Sequence, residues 1–276
     1  MSLTKKIDFA LIIRVKNANP NGDPLNGNRP RINYEGYGEI SDVCLKRKIR
    51  NRLLEANQSI LVQSDDYRFD AYRSIKDRYD ANEKIKALAK DKDGEKKAKV
   101  ACEEWYDVRA FGQVLAGVDD TSASISIRGP VTIQSAFSVE PVDITTNQIV
   151  KSVNLTTNKK DPSEKQRDTM GTKHRVDKGI YVTYGSISTQ LAKLTGFSDE
   201  DAETLKSVLP NLFDNDESAA RPAGSMQVLK VIWWIHEGKT LSSAKVHNSL
   251  KVNPDGSYEL TCLDGIKIIE IDGYDF

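Results

Sequence analysis

The sequence has no net charge: 40 lysines and arginines balance 40 aspartates and glutamates over 276 residues. Attraction to a polyanion would therefore have to come from local clusters, not from the chain as a whole. Cysteine is scarce. Cys44, Cys102 and Cys262 are odd in number, widely spaced and form no CxxC pair, which points to a reduced cytoplasm. No apolar run approaches the length that spans a bilayer, and residues 1–8 hold no apolar signal core, so no membrane partner is expected. The motifs GxxxxGK[ST], GxSxG and HExxH are absent, so an enzyme would have to be assembled from scattered residues. Hydrophobic residues make up 38% of the chain and charged residues 29%, a balance that fits a globular protein with a wet surface.

What is present is charge segregation. Residues 1–60 hold eleven cations against six anions, and residues 151–178 hold eight against four. Residues 195–220 hold one cation and seven anions, and residues 252–276 hold one and six. Such a chain can bind a polyanion on one surface, or stack on copies of itself, acidic face to basic face. The densest cluster is Lys46–Arg52, five cations in seven positions, inside the segment "ISDVCLKRKIRNRLLEAN" (40–57).

That segment reads as a helix with Ser41 as N-cap and Leu45, Ile49 and Leu53 as its apolar stripe. It follows a strand in which Ile7, Phe9, Leu11, Ile13 and Val15 alternate with the residues between them, the pattern of one buried face. Residues 65–115 suggest a helical insertion, with Phe69, Tyr72 and Tyr79 near helical spacing and Ala98, Cys102 and Trp105 again so. Strand patterns return at 124–140 and 179–188. The polar, basic stretch 141–178 between them is long for a connection and reads as a functional protrusion or a loop. A helix capped by Ser198, with the stripe Ala202, Leu205 and Leu209, precedes the apolar strand 226–237, and shorter strands are expected over 245–271. The order is strand, helix, strand, strand, helix, strand, the ferredoxin-like arrangement, and it predicts an α+β fold.

On the helix, Lys46, Arg47 and Arg50 form one flank beside the apolar stripe, within reach of adjacent phosphates, and no acid is interleaved within the cluster. The loop 17–32 places Asn19 and Asn21 beside Arg29 and Arg31, with glycines that let a ligand approach the backbone. Thr172, Lys173, His174 and Arg175 gather four hydrogen-bond donors at the end of the basic arm. His174 is also a candidate general base, although His236 and His247 lie far along the chain and no partner is near. Tyr181 and Tyr184 in "KGIYVTY" fit a base-stacking strand poorly and suit a core or sheet-covering role equally well. Asp119 and Asp120, adjacent on the chain, do not make a metal site. Neither a metal nor a cofactor is expected.

Five stretches together resemble a known family: "NPNGDP" (19–24), "ISDVCLKRKIRN" (40–51), "DVRAFGQV" (107–114), "SIRGPVTIQ" (126–134) and "GTKHRVDKGIYVTYGSI" (171–187). They are similar to the backbone subunit of the type I-C CRISPR Cascade complex, the "seven" family of CRISPR-associated proteins. The resemblance implies an RNA-recognition-motif-like palm over 1–64, 116–140 and 179–276, a helical fingers insertion over 65–115, and a β-hairpin thumb over 141–178. It implies a cytoplasmic, non-catalytic protein that polymerises along CRISPR guide RNA with other Cascade subunits and meets target DNA through the guide. The RNA-binding residues expected are Asn19, Asn21, Arg29, Arg31, Lys46, Arg47, Arg50, Arg128, Thr172, Lys173, His174 and Arg175. Two enzymatic readings compete: an RNA-processing endonuclease on the same fold with His174 as base, and a nuclease using Asp119 or Asp120. A generic single-strand RNA chaperone is a third.

Overall fold

The computed structural model describes residues 2–88, 93–115, 124–153, 170–238 and 240–273. Asp119 and Asp120, and residues 154–169 of the basic arm, lie outside them. In chain order the principal elements begin with β1 (Ile7–Ala18), β2 (Tyr37–Ile40) and α1 (Asp42–Glu55). Four helices follow: α2 (Ile75–Ala81), α3 (Glu83–Ala87), α4 (Gly94–Glu104) and α5 (Tyr106–Phe111). Then come β3 (Val131–Ile133), β4 (Ala136–Pro141), β5 (Ile144–Val150) and β6 (Met170–Ile187). The chain continues with α6 (Thr189–Thr195), α7 (Asp199–Val208), β7 (Met226–His236), α8 (Ser243–His247) and β8 (Ile266–Asp272).

One large antiparallel sheet runs in the order β8-β7-β1-β6-β4-β2, with β3 and β5 also pairing with β6. On one face, Phe9, Leu11, Ile13 and Val15 of β1 meet Leu45, Ile49 and Leu53 of α1 and Ala202 and Leu205 of α7. Each large side chain withdrawn from water here contributes about 1.5–3 kcal/mol. Ser41 caps α1 by accepting from the Cys44 amide at 3.3 Å, and Ser198 and Asp201 form a reciprocal capping box at the start of α7.

The sequence pattern gave β1 a single buried face, but Ala10 and Ile12 on its other face are fully buried too. Ala10, Ile232 and Trp234 are covered there by a small C-terminal layer containing Val246 and Leu250. Alternation in one strand cannot reveal a layer contributed by residues more than 200 positions away.

The helices α2–α5 fall within 65–115, yet the aromatic spacing that suggested them is only partly helical. Phe69 and Tyr72 precede α2 and are exposed, and Tyr79 alone of the three is buried, stacked on Trp105. Strand Ile125–Arg128 leaves the main sheet and pairs with Gly112–Leu115. Expected as part of the main-sheet strand region, it closes the helical segment instead.

Candidate nucleic-acid interface

All the expected site residues but Arg128 sit on three pieces of structure. The first is α1, where none of the five clustered cations is without an intramolecular partner. Lys46 bonds Asp42 at 3.0 Å, one turn back and just outside the cluster. Arg50 Nε donates to Asp107 at 2.8 Å, and its guanidinium lies 5.1 Å from the centre of the Phe111 ring. Asp107 is fully buried and also accepts from the amides of Leu61 (2.8 Å) and Val62 (3.1 Å). Arg47 donates to the Val62 carbonyl at 2.9 Å and to Asn51 at 3.4 Å. Burial and the Arg50 charge together push its guanidinium down from the ordinary value.

Lys48 and Arg52, on the far flank, are each only 5% exposed and pair with Asp216 and Glu55. Burial pushes the Lys48 ammonium down, against the attraction of Asp216. The cluster looked unpaired in the sequence because Asp107 and Asp216 are distant along the chain. Free donors remain on the Nη atoms of Arg50, which hold no partner among the described residues, while Lys46 shares its ammonium only with a half-exposed carboxylate.

The second piece is the loop 17–32, which is ordered by its own asparagines. Asn17 and Asn28 adopt left-handed backbone conformations (φ 54° and 60°), which asparagine tolerates better than other side-chain-bearing residues. Asn19 donates Nδ2 to the Asn28 carbonyl at 2.7 Å. Asn21 Oδ1 accepts from the Ser41 amide at 2.9 Å and the Ser41 hydroxyl at 2.8 Å, fastening the loop to the start of α1. Arg31 lies 3.7 Å from Asp23. Asn19 and Asn21, expected as ligand contacts, therefore serve first to shape the loop.

The third piece is the ribbon formed by β5 and β6. Opposed pairs run from Val176↔Ile144 through His174↔Thr146 and Thr172↔Gln148 to Met170↔Val150. Val176 and Ile144 face the α1 side of the sheet, where they pack on the core, so strand alternation sends His174 and Thr172 to that side. Lys173 and Arg175 point the other way. The four donors adjacent in the sequence are thus split two and two. Arg175 is taken up by Asp177 at 3.1 Å, whereas Lys173 makes no ion pair or side-chain hydrogen bond among the described residues.

Arg29 joins the loop to the ribbon. Its Nη1 donates to Thr146 Oγ1 at 3.1 Å, and that oxygen lies 2.9 Å from His174 Nδ1. Two residues 145 positions apart meet across one threonine that sequence reasoning did not single out. A threonine in a polar strand carries no signal of such a role; only the strand register reveals it.

Arg128 lies elsewhere. It is exposed on the small hairpin beside α4 and α6 and lines a groove of about 810 Å³ with Lys99 and Lys193. Tyr181 is fully buried in the core, so its ring is not free to stack on a base, and the partly buried Tyr184 stacks on His247 at 4.8 Å. Among the described residues no group of three or more His, Cys, Asp or Glu is placed to hold a metal ion. No described helix is long and apolar enough to cross a membrane.

Comparison with known proteins places this geometry in context. A CRISPR-associated protein Cas7 from Haloferax volcanii is 24% identical over 283 residues, covering 97% of this chain and 81% of the relative. Among solved structures, a chain of a CRISPR RNA-guided surveillance complex, pre-nicking, superposes with a TM-score of 0.54 at 15% identity, over 87% of this chain and 81% of that one. The likeness is one of fold. The family model for CRISPR-associated protein Cas7 matches residues 5–271, nearly the whole chain, and the protein belongs to that family.

Proposed function

We propose that this chain is the guide-RNA-binding backbone subunit of a type I-C Cascade complex, several copies of which line one guide RNA and leave its bases to pair with target DNA. Family membership supports the class. The central order β7-β1-β6-β4, with α1 and α7 on one face, supports reading the sheet as a ferredoxin-like, RNA-recognition-motif-like palm. The helices α2–α5 then act as fingers and the β5–β6 ribbon as the thumb.

The observation that carries the proposal is the meeting of Arg29 and His174 at the base of the ribbon, on the same side of the sheet as α1. Arg29, His174 and Thr172 offer hydrogen-bond donors there to a phosphate backbone, while Lys46 and the spare donors of Arg50 extend the surface along the helix. Arg31, Lys173 and Arg175 act from the flanks, and Arg128 serves a separate surface. Contacts of this kind hold shape and backbone, and base pairing reads sequence.

The subunit is read as non-catalytic. His174, the candidate base, has Nδ1 engaged by Thr146 and no carboxylate or second histidine bonded to it among the described residues. Co-expression with a guide RNA followed by electron microscopy tests the proposal: a regular row of copies along the RNA is expected. Monomers scattered on RNA would favour the chaperone reading. Trimming of repeat RNA by the wild type, but not by His174→Ala, would replace the scaffold with an endonuclease.

A further inference from the structure

Thr146 stands directly opposite His174 on the ribbon, and its Oγ1 bonds both His174 Nδ1 (2.9 Å) and Arg29 Nη1 (3.1 Å). A threonine hydroxyl has one proton to give and two lone pairs to receive with. A guanidinium only donates, so Arg29 occupies one lone pair and orients the hydroxyl. Its proton then has one acceptor among the described residues, the Nδ1 lone pair of His174. If Nδ1 carried the proton instead, both lone pairs of the oxygen would be taken and the hydroxyl proton would have no acceptor among the described residues. The hydrogen bond at one ring nitrogen sets which nitrogen of a neutral imidazole is protonated.

We propose that Thr146 is a positioning residue that fixes neutral His174 as the Nε2–H tautomer. Nε2 has no protein partner among the described residues, so its N–H, together with the remaining N–H groups of Arg29, forms a seat for a phosphodiester oxygen. With Nδ1 occupied by the threonine hydroxyl and Nε2 carrying its hydrogen, the neutral ring presents a donor, not a free acceptor. It favours holding RNA over cutting it. The phosphate part of this inference rests on the RNA-binding reading above; the tautomer does not.

The test uses the full chain labelled with ¹⁵N-histidine, and its Thr146→Val and Thr146→Ser variants. Above neutral pH, long-range ¹H–¹⁵N spectra distinguish the two tautomers of His174 in the free protein. Wild type and Thr146→Ser are expected to show Nε2–H alone, and Thr146→Val a mixture. Affinity for a guide-length oligouridine RNA should fall roughly three- to tenfold in Thr146→Val, one hydrogen bond's worth, and recover in Thr146→Ser. Nδ1–H in the wild type, or Thr146→Val with unchanged tautomer and affinity, overturns the proposal. A wild type with the expected tautomer but no affinity for the RNA supports the positioning role and removes the RNA reading instead.

Discussion

Asp8 shows how one buried side chain holds two layers together. It is fully buried on the face of β1 that meets the C-terminal layer. His236 Nε2 lies 2.7 Å from Oδ2, Lys6 Nζ 3.2 Å from the same oxygen, and His247 Nε2 3.5 Å from Oδ1. The Leu241 amide donates to His236 Nδ1 at 3.2 Å, which leaves the Nε2 proton for Asp8. Burial pushes the Asp8 carboxyl up, but the nearby His247, Ser243 and His236 side chains and the Lys6 charge outweigh it and hold the carboxyl far below the usual range. Its folded value is thus depressed from roughly 3.9 in an unfolded chain, so its contribution to stability is complete above about pH 4 and is lost on acidification below that. Asp8→Asn should destabilise the protein by about 3 kcal/mol at neutral pH, because it leaves Lys6 and His236 facing an uncharged group. Urea unfolding of both proteins across pH should show the gap closing below about pH 4. A gap independent of pH would mean that Asp8 is not held as a paired carboxylate.

At the scale of elements, α1 is a joint as well as a surface. Through Arg50 and Arg47 it grips Asp107 and the Val62 carbonyl, and through Lys48 it grips Asp216. The Arg50–Asp107 pair is almost wholly buried, so a double-mutant cycle with Arg50→Ala and Asp107→Ala should give a coupling of at least about 1 kcal/mol in chemical denaturation. The same cycle on Lys46 and Asp42, both partly exposed, should give no more than about 0.5 kcal/mol. The parts proposed for them in RNA binding separate accordingly. Lys46→Gln should leave the fold intact and flatten the salt dependence of single-strand binding by about 0.7, the share of one phosphate contact. Arg50→Glu would set a second acid against Asp107 and is expected to loosen the packing of α5 on α1 before it reports on RNA. An unchanged salt slope in folded Lys46→Gln would move the RNA off this helix.

For the whole molecule, the question is whether the ribbon acts within one copy or between copies. Its described outer part offers Ile149, Val150, Val153 and Met170 to solvent, apolar groups with no core of their own to enter. Its base is anchored by Val176 and Ile144. Replacing residues 146–174 with a short Gly-Ser turn keeps that anchor, and the thermal unfolding midpoint should stay close to that of the wild type. The shortened protein should lose ordered rows on long RNA, seen by electron microscopy, while retaining weak binding through α1. Full-length ordered rows from the shortened protein would dismiss the thumb assignment.

The sequence by itself determined what depends on neighbours a few residues apart. The apolar period of α1 and α7, their serine caps, the strands at 7–18 and 226–236 and the position of the helical segment were legible because each is written in local spacing. The motifs at 19–24, 40–51 and 171–187 pointed to the family for the same reason. Tertiary structure decided the partners. The cations of α1 looked free because Asp107 and Asp216 approach them only after the chain has folded. The donors Thr172 to Arg175 looked united because sequence adjacency hides the alternation that sends them to opposite sides of a strand. Thr146 carried no signal until strand register set it opposite His174 and the loop brought Arg29 to its hydroxyl. Local pattern fixes which segments are helices and strands, whereas ion pairs and hydrogen bonds between distant residues exist only once hydrophobic burial has brought those segments together.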